Sequence, residues 1–295
     1  MSVLTIKNLK KSFGPIQALD DLSIDLLEGQ ILGILGPNGS GKTTTLGIIL
    51  GIIQQDSGSF TWFDGQFSDR FQLKIGALLE TPNFYPYMNA IQNLEVIRQI
   101  KMVEKMDFEE ILTLVNLWER RTSRFSTYSL GMKQRLAIAA TLIGNPEVLI
   151  FDEPTNGLDP KGIAEVRNVL THLASTGKTI LMASHILDEV EKVCTHVAIL
   201  KKGALLAFGK VGSILSNDLT VEVAALDMGG LEKFVDQLTL VKDIEKHPHH
   251  LELQVDRGTS PEIINKICYD AGFVLTHLVF RKRRLEDEFL AITEK

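Results

Sequence analysis

Cysteine is scarce in this chain: two residues, Cys194 and Cys268, among 295. They lie far apart, match no metal-binding spacing, and read as reduced thiols of a cytoplasmic protein. Long hydrophobic runs are missing as well. The longest, residues 46–53, has about eight residues, where crossing a bilayer takes roughly 20. Any service to a membrane must therefore come from the side. Residues 1–7 lack the charged-then-apolar layout of a signal peptide. Positive charge is not in excess either. The net charge of -6 removes the overall basic field that would invite nucleic acid. No short-period repeat is visible.

What remains is globular. Hydrophobic residues make up 44% and charged residues 23%, enough for a sizeable core, and the length suits two domains. Alternating apolar and polar residues predict strands at 3–8 and 22–26. A continuous apolar strand is expected at 30–35, running into a glycine-rich turn and then a buried helix at 43–53. Another strand is expected at 74–79, followed by a helical stretch with helices near 89–102, 108–117 and 130–144. Then come a strand at 148–151, a helix at 162–176, a strand at 179–183, a helix at 186–193 and a strand at 197–201. This alternation predicts an α/β fold with a mostly parallel sheet covered on both faces. The pattern changes near residue 215. Beyond it the order is strand 219–225, helix 231–238, a hairpin of 243–246 and 251–255, helix 261–271, strand 274–280 and helix 285–292. That β-α-β-β-α-β order is the split ferredoxin-like α+β arrangement.

Gly36-Pro37-Asn38-Gly39-Ser40-Gly41-Lys42-Thr43 fits G-x-x-x-x-G-K-[ST], with a strand before it and a helix after it. Glycines let backbone N–H groups converge on phosphate oxygens, and the following helix, which Thr44 continues, points its positive end at the same spot. Lys42 supplies a compact positive charge for the β- and γ-phosphates of ATP, and the Thr43 hydroxyl can ligate Mg²⁺. Further on, the apolar strand 148–151 ends in Asp152-Glu153. Paired acids at the end of a buried strand need a balancing cation. Asp152 is placed to hold Mg²⁺ and Glu153 to polarise an attacking water, although acids at a helix N-terminus also occur without a ligand.

Tyr128-Ser129-Leu130-Gly131-Met132-Lys133-Gln134-Arg135 is similar to the L-S-G-G-Q signature of the ABC transporter ATPases. With the phosphate loop and the acid pair, it makes residues 2 to about 212 resemble that family. The resemblance implies a P-loop ABC-type nucleotide-binding domain over residues 1–214, with a helical subdomain at about 84–146 and a small accessory domain at 215–295. It implies that Ser129 and Gly131 contact the γ-phosphate of a nucleotide held by a second subunit. Gly157-Leu158-Asp159-Pro160 resembles the D-loop, which places Asp159 at the dimer interface. His185 falls where the family has its switch histidine, which implies that it contacts the γ-phosphate and positions the water, and Phe13 where an aromatic ring stacks on adenine. An aromatic at position 13 could equally belong to the core.

Two departures bear on mechanism. Glu80 stands where the family usually has Gln, at a place that touches Mg²⁺, and it would bring a full charge there. In the signature, Leu130 and Met132 replace a Gly and the Gln. Both departures, with Asn83-Phe84-Tyr85-Pro86, resemble the ATPases of bacitracin- and lantibiotic-resistance exporters. The resemblance thus implies an ATPase using ATP and Mg²⁺, paired as a homodimer or with another ATPase, and peripheral on the cytoplasmic face of the membrane. A separate integral permease would be driven, and no nucleic acid would be bound. Rival expectations are an exporter ATPase for another substrate, an importer ATPase, a soluble ABC ATPase acting on DNA or ribosomes, and a non-catalytic nucleotide-binding scaffold. The α/β pattern after residue 215 argues against the importer. Absence of long coiled coils and of a second cassette argues against the soluble ATPase, and retention of Glu153 and His185 against the scaffold. His247, His249 and His250 can bind metal, but a hairpin tip containing Pro248 accounts for them. Arg281-Lys282-Arg283-Arg284 can meet anionic lipid or simply begin a solvated helix.

Overall fold

The computed structural model describes the chain except for residues 67–70, 80–82, 215–217, 257–258, 283–288 and 290–295. The chain divides into two compact units, Met1–Val211 and Gly212–Lys295.

Among the described residues, the first unit holds two sheets. Strands β1 (Ser2–Phe13), β2 (Ile16–Leu27) and β4 (Ser57–Trp62) form an antiparallel sheet in the order β2-β1-β4. The larger sheet takes β3 (Ile31–Leu35), β5 (Ile75–Leu78), β6 (Val148–Asp152), β7 (Thr179–Ser184), β8 (His196–Lys201) and β9 (Ala204–Lys210). Its order is β5-β6-β7-β3-β8-β9, parallel throughout except for the last pair. Sequence patterning did not predict β4 or β9. In β4 only Trp62 is buried, and β9 is a half-exposed edge strand, so neither writes a strong period-2 apolar signal; pairing with β1 and β8 decides them.

Helix α1 (Lys42–Ile49) fills the space between the sheets. Leu46, Ile48 and Ile49 are fully buried in one core with Leu4 and Leu22 of the small sheet and Ile34, Ile150 and Leu181 of the large one. The helix stops short of the expected residue 53. Gly51 turns left-handed with φ +75°, and the N–H groups of Ile52 and Ile53 return to the Gly47 carbonyl at 2.9 and 3.0 Å. That turn satisfies carbonyls left free at the helix end.

The inserted helices are α2 (Ala90–Ile100), α3 (Phe108–Leu114) and α4 (Leu130–Thr141). A capping box between Asn89 and Gln92 starts α2, and Asp107 caps α3. Arg135 of α4 donates to the carbonyls of Val115 and Asn116 at 2.7 and 2.8 Å and pairs with Glu165 at 3.2 Å. It ties the signature helix to the end of α3 and to α5 (Pro160–Ser175). Helix α5 buries Val166, Val169, Leu170 and Leu173, the i, i+3, i+4, i+7 stripe of a helix with one covered face. Helix α6 (Leu187–Val193) follows β7.

The second unit carries α7 (Val211–Ile214) at its border, then β10 (Asp218–Ala225), α8 (Met228–Val235), β11 (Val241–Lys246), β12 (Leu251–Asp256), α9 (Pro261–Asp270) and β13 (Leu275–Lys282). The strands form an antiparallel sheet in the order β11-β12-β10-β13. Val221, Val223, Leu253 and Val255 bury one face together with Leu231, Val235, Ile264 and Cys268 of the helices. The helix expected at 285–292 lies almost wholly outside the described residues. Among the described residues, no helix is long and apolar enough to cross a membrane.

Candidate nucleotide-binding site

Three neighbouring parallel strands deliver the site. In β6-β7-β3, Asp152 stands opposite Ala183, and Leu35 opposite Ser184. The chain therefore leaves the sheet at Gly36, Glu153 and His185 along one carboxyl edge, where open α/β sheets bind ligands.

The glycine-rich loop closes tightly after β3. A Cβ on Gly36 would lie 2.4 Å from the Leu200 carbonyl oxygen, and one on Gly41 2.5 Å from that of Ala18. Gly41 also has φ +106° as the N-cap of α1, a conformation that L side chains resist. Ser40 packs behind the loop and is fully buried. The Lys42 ammonium reaches back over the loop. It donates to the Gly36 carbonyl at 2.7 Å and the Pro37 carbonyl at 3.3 Å, and lies 3.5 Å from Glu153 Oε1. Thr43 Oγ1 donates to Asp152 Oδ2 at 2.9 Å.

Glu153 is held in a left-handed backbone conformation, φ +49°, its N–H bonded to the Ala183 carbonyl at 2.9 Å. This turns its carboxylate back across the strand ends. Its Oε2 lies 2.8 Å from His185 Nδ1 and accepts the His185 backbone N–H at 3.3 Å. The group can hold an anion through Lys42 and the loop amides, a hard cation between Thr43 and Asp152, and a water beside Glu153.

A cleft of about 420 Å³ opens here, lined by Asn38, Gly39, Gly41, Lys42, Thr43, Thr44, Asp152 and Glu153. Leu130, Gln134 and Asn156 line it too, and sequence reasoning gave these three no role. Leu130 and Gln134 are four apart on α4, so one helix face presents both; that spacing was available as a signal. Asn156 follows from the turn after Glu153, to whose carbonyl its N–H bonds at 3.1 Å.

Other expected site residues lie outside the cleft lining. Ser129 is the N-cap of α4, its hydroxyl accepting from the Met132 N–H at 3.3 Å. Asp159 is the N-cap of α5, accepting from the Gly162 N–H at 3.0 Å. The two helix starts touch, since a Cβ on Gly131 would lie 3.8 Å from Gly162 Cα. Phe13 is 48% exposed with the Lys11 ammonium 5.3 Å from its ring centroid. That exposure removes the core alternative for Phe13. Glu80 lies outside the described residues.

The ABC transporter family profile matches residues 19–156. An ABC transporter ATP-binding protein of Bacillus subtilis, YdbJ, is 36% identical over 99% of this chain and 95% of its own length. The chain belongs to the ABC transporter ATPases. The bacitracin transport ATP-binding protein BcrA of Bacillus licheniformis is 33% identical, covering 99% of this chain and 97% of BcrA. Among solved structures, an ATP-binding subunit of an ABC transporter aligns with a TM-score of 0.64 at 27% identity, over 72% of this chain and 92% of that one. A dimeric ATP-binding cassette in a post-hydrolysis state, bound to ADP and Pi, aligns with a TM-score of 0.61 at 28% identity, over 70% of this chain and 98% of that one.

Proposed function

We propose that this ABC ATPase hydrolyses ATP to drive a separate permease chain, from the cytoplasmic face of a membrane, in an antibiotic exporter. The observation that carries the catalytic part is the convergence of Lys42, Thr43, Asp152, Glu153 and His185 at one sheet edge. Lys42 and the amides from Asn38 to Thr44 grip the phosphates. Thr43 and Asp152 would hold Mg²⁺, which would neutralise charge on the phosphate oxygens. Glu153 takes a proton from the attacking water, and His185 orients the Glu153 carboxylate. Phe13, exposed on β1, offers its ring to the adenine. Glu80 is assigned to the metal on family resemblance alone.

Two copies pair head to tail, so that Ser129 and Gly131 of one copy reach the nucleotide of the other, with Asp159 between them. The exposed start of α4, with Leu130 48% exposed, and the likeness to a dimeric cassette support this pairing. Residues 1–214 then act as the motor and 215–295 as an accessory domain. The cargo class is taken from relatives: bacitracin transport, lantibiotic transport and linearmycin resistance name the proteins similar to this chain.

The test is ATP turnover by wild type and Glu153→Gln, alone and with a co-expressed permease, with oligomeric state followed in ATP. Turnover by wild type with a stalled ATP-bound dimer of the variant is expected. A wild type that neither hydrolyses nor dimerises beside its permease would end the reading. For the cargo, cells lacking the chain should become more sensitive to a bacitracin- or lantibiotic-type compound; unchanged sensitivity to both would remove the antibiotic assignment.

A further inference from the structure

Glutamates oppose one another across the second sheet. Glu222 of β10 pairs in register with Glu252 of β12, and Glu252 with Glu245 of β11. Strand alternation puts all three on the face away from α8 and α9, because their neighbours Val221, Val223, Leu251 and Leu253 are buried in the helix-facing core. Like charges directly opposite destabilise a sheet, so this row calls for a positive partner.

Imidazoles surround it. His277 of β13 sits with Nε2 3.0 Å from Glu222 Oε2. The β11–β12 turn brings in two more, closed by the His247 N–H donating to the His250 carbonyl at 3.0 Å. The His247 and His250 rings stack with centroids 4.7 Å apart and planes 17° from parallel, and the His250 ring lies 5.8 Å from that of His277. His247 Nε2 is buried and makes no hydrogen bond. Glu252 Oε2 stands 3.5 Å from it and Glu245 Oε1 3.8 Å.

Those separations are long for hydrogen bonds but suit two ligands of one ion. With metal–ligand bonds of about 2.0–2.1 Å, ligand atoms around a tetrahedral centre lie about 3.3 Å apart. One ligand atom from each of His247, His250 and Glu252 falls within 4.8 Å of the others, so small side-chain rotations close the set. Imidazole with one carboxylate favours a borderline ion over Mg²⁺ or Ca²⁺.

We infer that His247, His250 and Glu252 form a binding site for a divalent first-row transition metal ion of the zinc class, in the accessory unit. The fourth position is left to Glu245 or water, and the Glu222–His277 pair flanks the site. The inference stands whatever the exporter's cargo.

The experiment uses the full chain, stripped with a chelator, without nucleotide or Mg²⁺. Zn²⁺ is titrated by calorimetry, and Co²⁺ serves as the spectroscopic probe. One Zn²⁺ per chain is expected to bind at this site and to bleach the visible bands of tetrahedral Co²⁺. His250→Gln and Glu252→Gln should each weaken binding at least about tenfold, while His249→Gln, at the exposed tip, leaves it unchanged. Histidine ring resonances of the wild type should shift for His247 and His250 on adding Zn²⁺, a reading that needs no variant to fold. Unmoved rings, or Zn²⁺ affinity insensitive to His250→Gln and lost in Asp152→Asn, would overturn the site and assign the ion to Asp152 and Glu153. Absence of Zn²⁺ binding would equally overturn it.

Discussion

Glu153 Oε2 lies 2.8 Å from Nδ1 of His185, while its Oε1 lies 3.5 Å from the Lys42 ammonium. The carboxylate thus bridges the histidine after β7 and the lysine of the phosphate loop. In this arrangement it provides the negative charge that Lys42 requires. A phosphate competing for Lys42 would free Oε1 to face a water while Oε2 stays on the imidazole. Glu153→Gln keeps the shape and removes the base. Steady-state turnover should fall by about 10²–10⁴-fold, the range ascribed to a positioned general base, with ATP binding retained. Turnover within a factor of two of wild type, measured by phosphate release, would remove Glu153 from the chemistry.

Lys42→Ala should act on binding. Its ammonium is the cation aimed at the phosphate loop, and no neutral side chain replaces it. ATP affinity by calorimetry should drop at least about tenfold, the loss of roughly 1.4 kcal/mol or more expected for a charge-assisted contact. Equal affinity for ATP in the variant would contradict the assignment.

Ser129→Ala separates a cap from a catalytic contact. Loss of the hydroxyl that accepts the Met132 N–H should cost about 1 kcal/mol of stability. If Ser129 also serves the nucleotide of a second copy, turnover should fall far more than this stability loss explains, and dimerisation in ATP should weaken. A small drop in melting temperature with unchanged turnover would confine Ser129 to capping.

Arg135→Leu tests what holds the signature helix. The guanidinium is buried, bonded to two carbonyls at the end of α3 and paired with Glu165. Removing it leaves Glu165 and those carbonyls without their partner, at a cost of about 3 kcal/mol. Urea denaturation should show the loss. Arg135→Lys, a point charge in place of a planar fork, should recover only part of it.

Glu189 gives a pH signature. Burial pushes its carboxyl above the ordinary range, opposed by the hydrogen bond it accepts from Thr155 Oγ1 and by Arg167, and aided by Glu153 and Asp188. The native state therefore binds the proton more tightly than the unfolded chain. The resulting stability is complete below the unfolded value of about 4.3 and is lost as pH rises through the folded one. Glu189→Gln should accordingly gain stability relative to wild type as pH rises, and the gap should close in acid. Thermal unfolding at about pH 5 and about pH 8 checks the sign; a gap that widens in acid would refute it.

Much of the site was legible because its chemistry is local. Glycines with Lys42 and Thr43 between a strand and a helix, and acids after a buried strand, are patterns a few residues long with a fixed physical purpose. The weakly patterned strands β4 and β9 were not legible, nor was the early stop of α1, because pairing partners and a left-handed glycine decided them. In the second unit, the sequence pointed to a hairpin at His247–His250, but not to the register that lines up Glu245, Glu252 and Glu222.

By itself, then, the sequence determined the alternation of strands and helices, the phosphate loop, and the carboxylates at the strand's end, since each is written in adjacent residues. Only the tertiary structure decided that Glu153 bridges Lys42 and His185, that Phe13 faces solvent, and that Leu130, Gln134 and Asn156 line the cleft. Those relationships join residues far apart in the chain, and strand order and packing, which no local pattern encodes, set the distances between them.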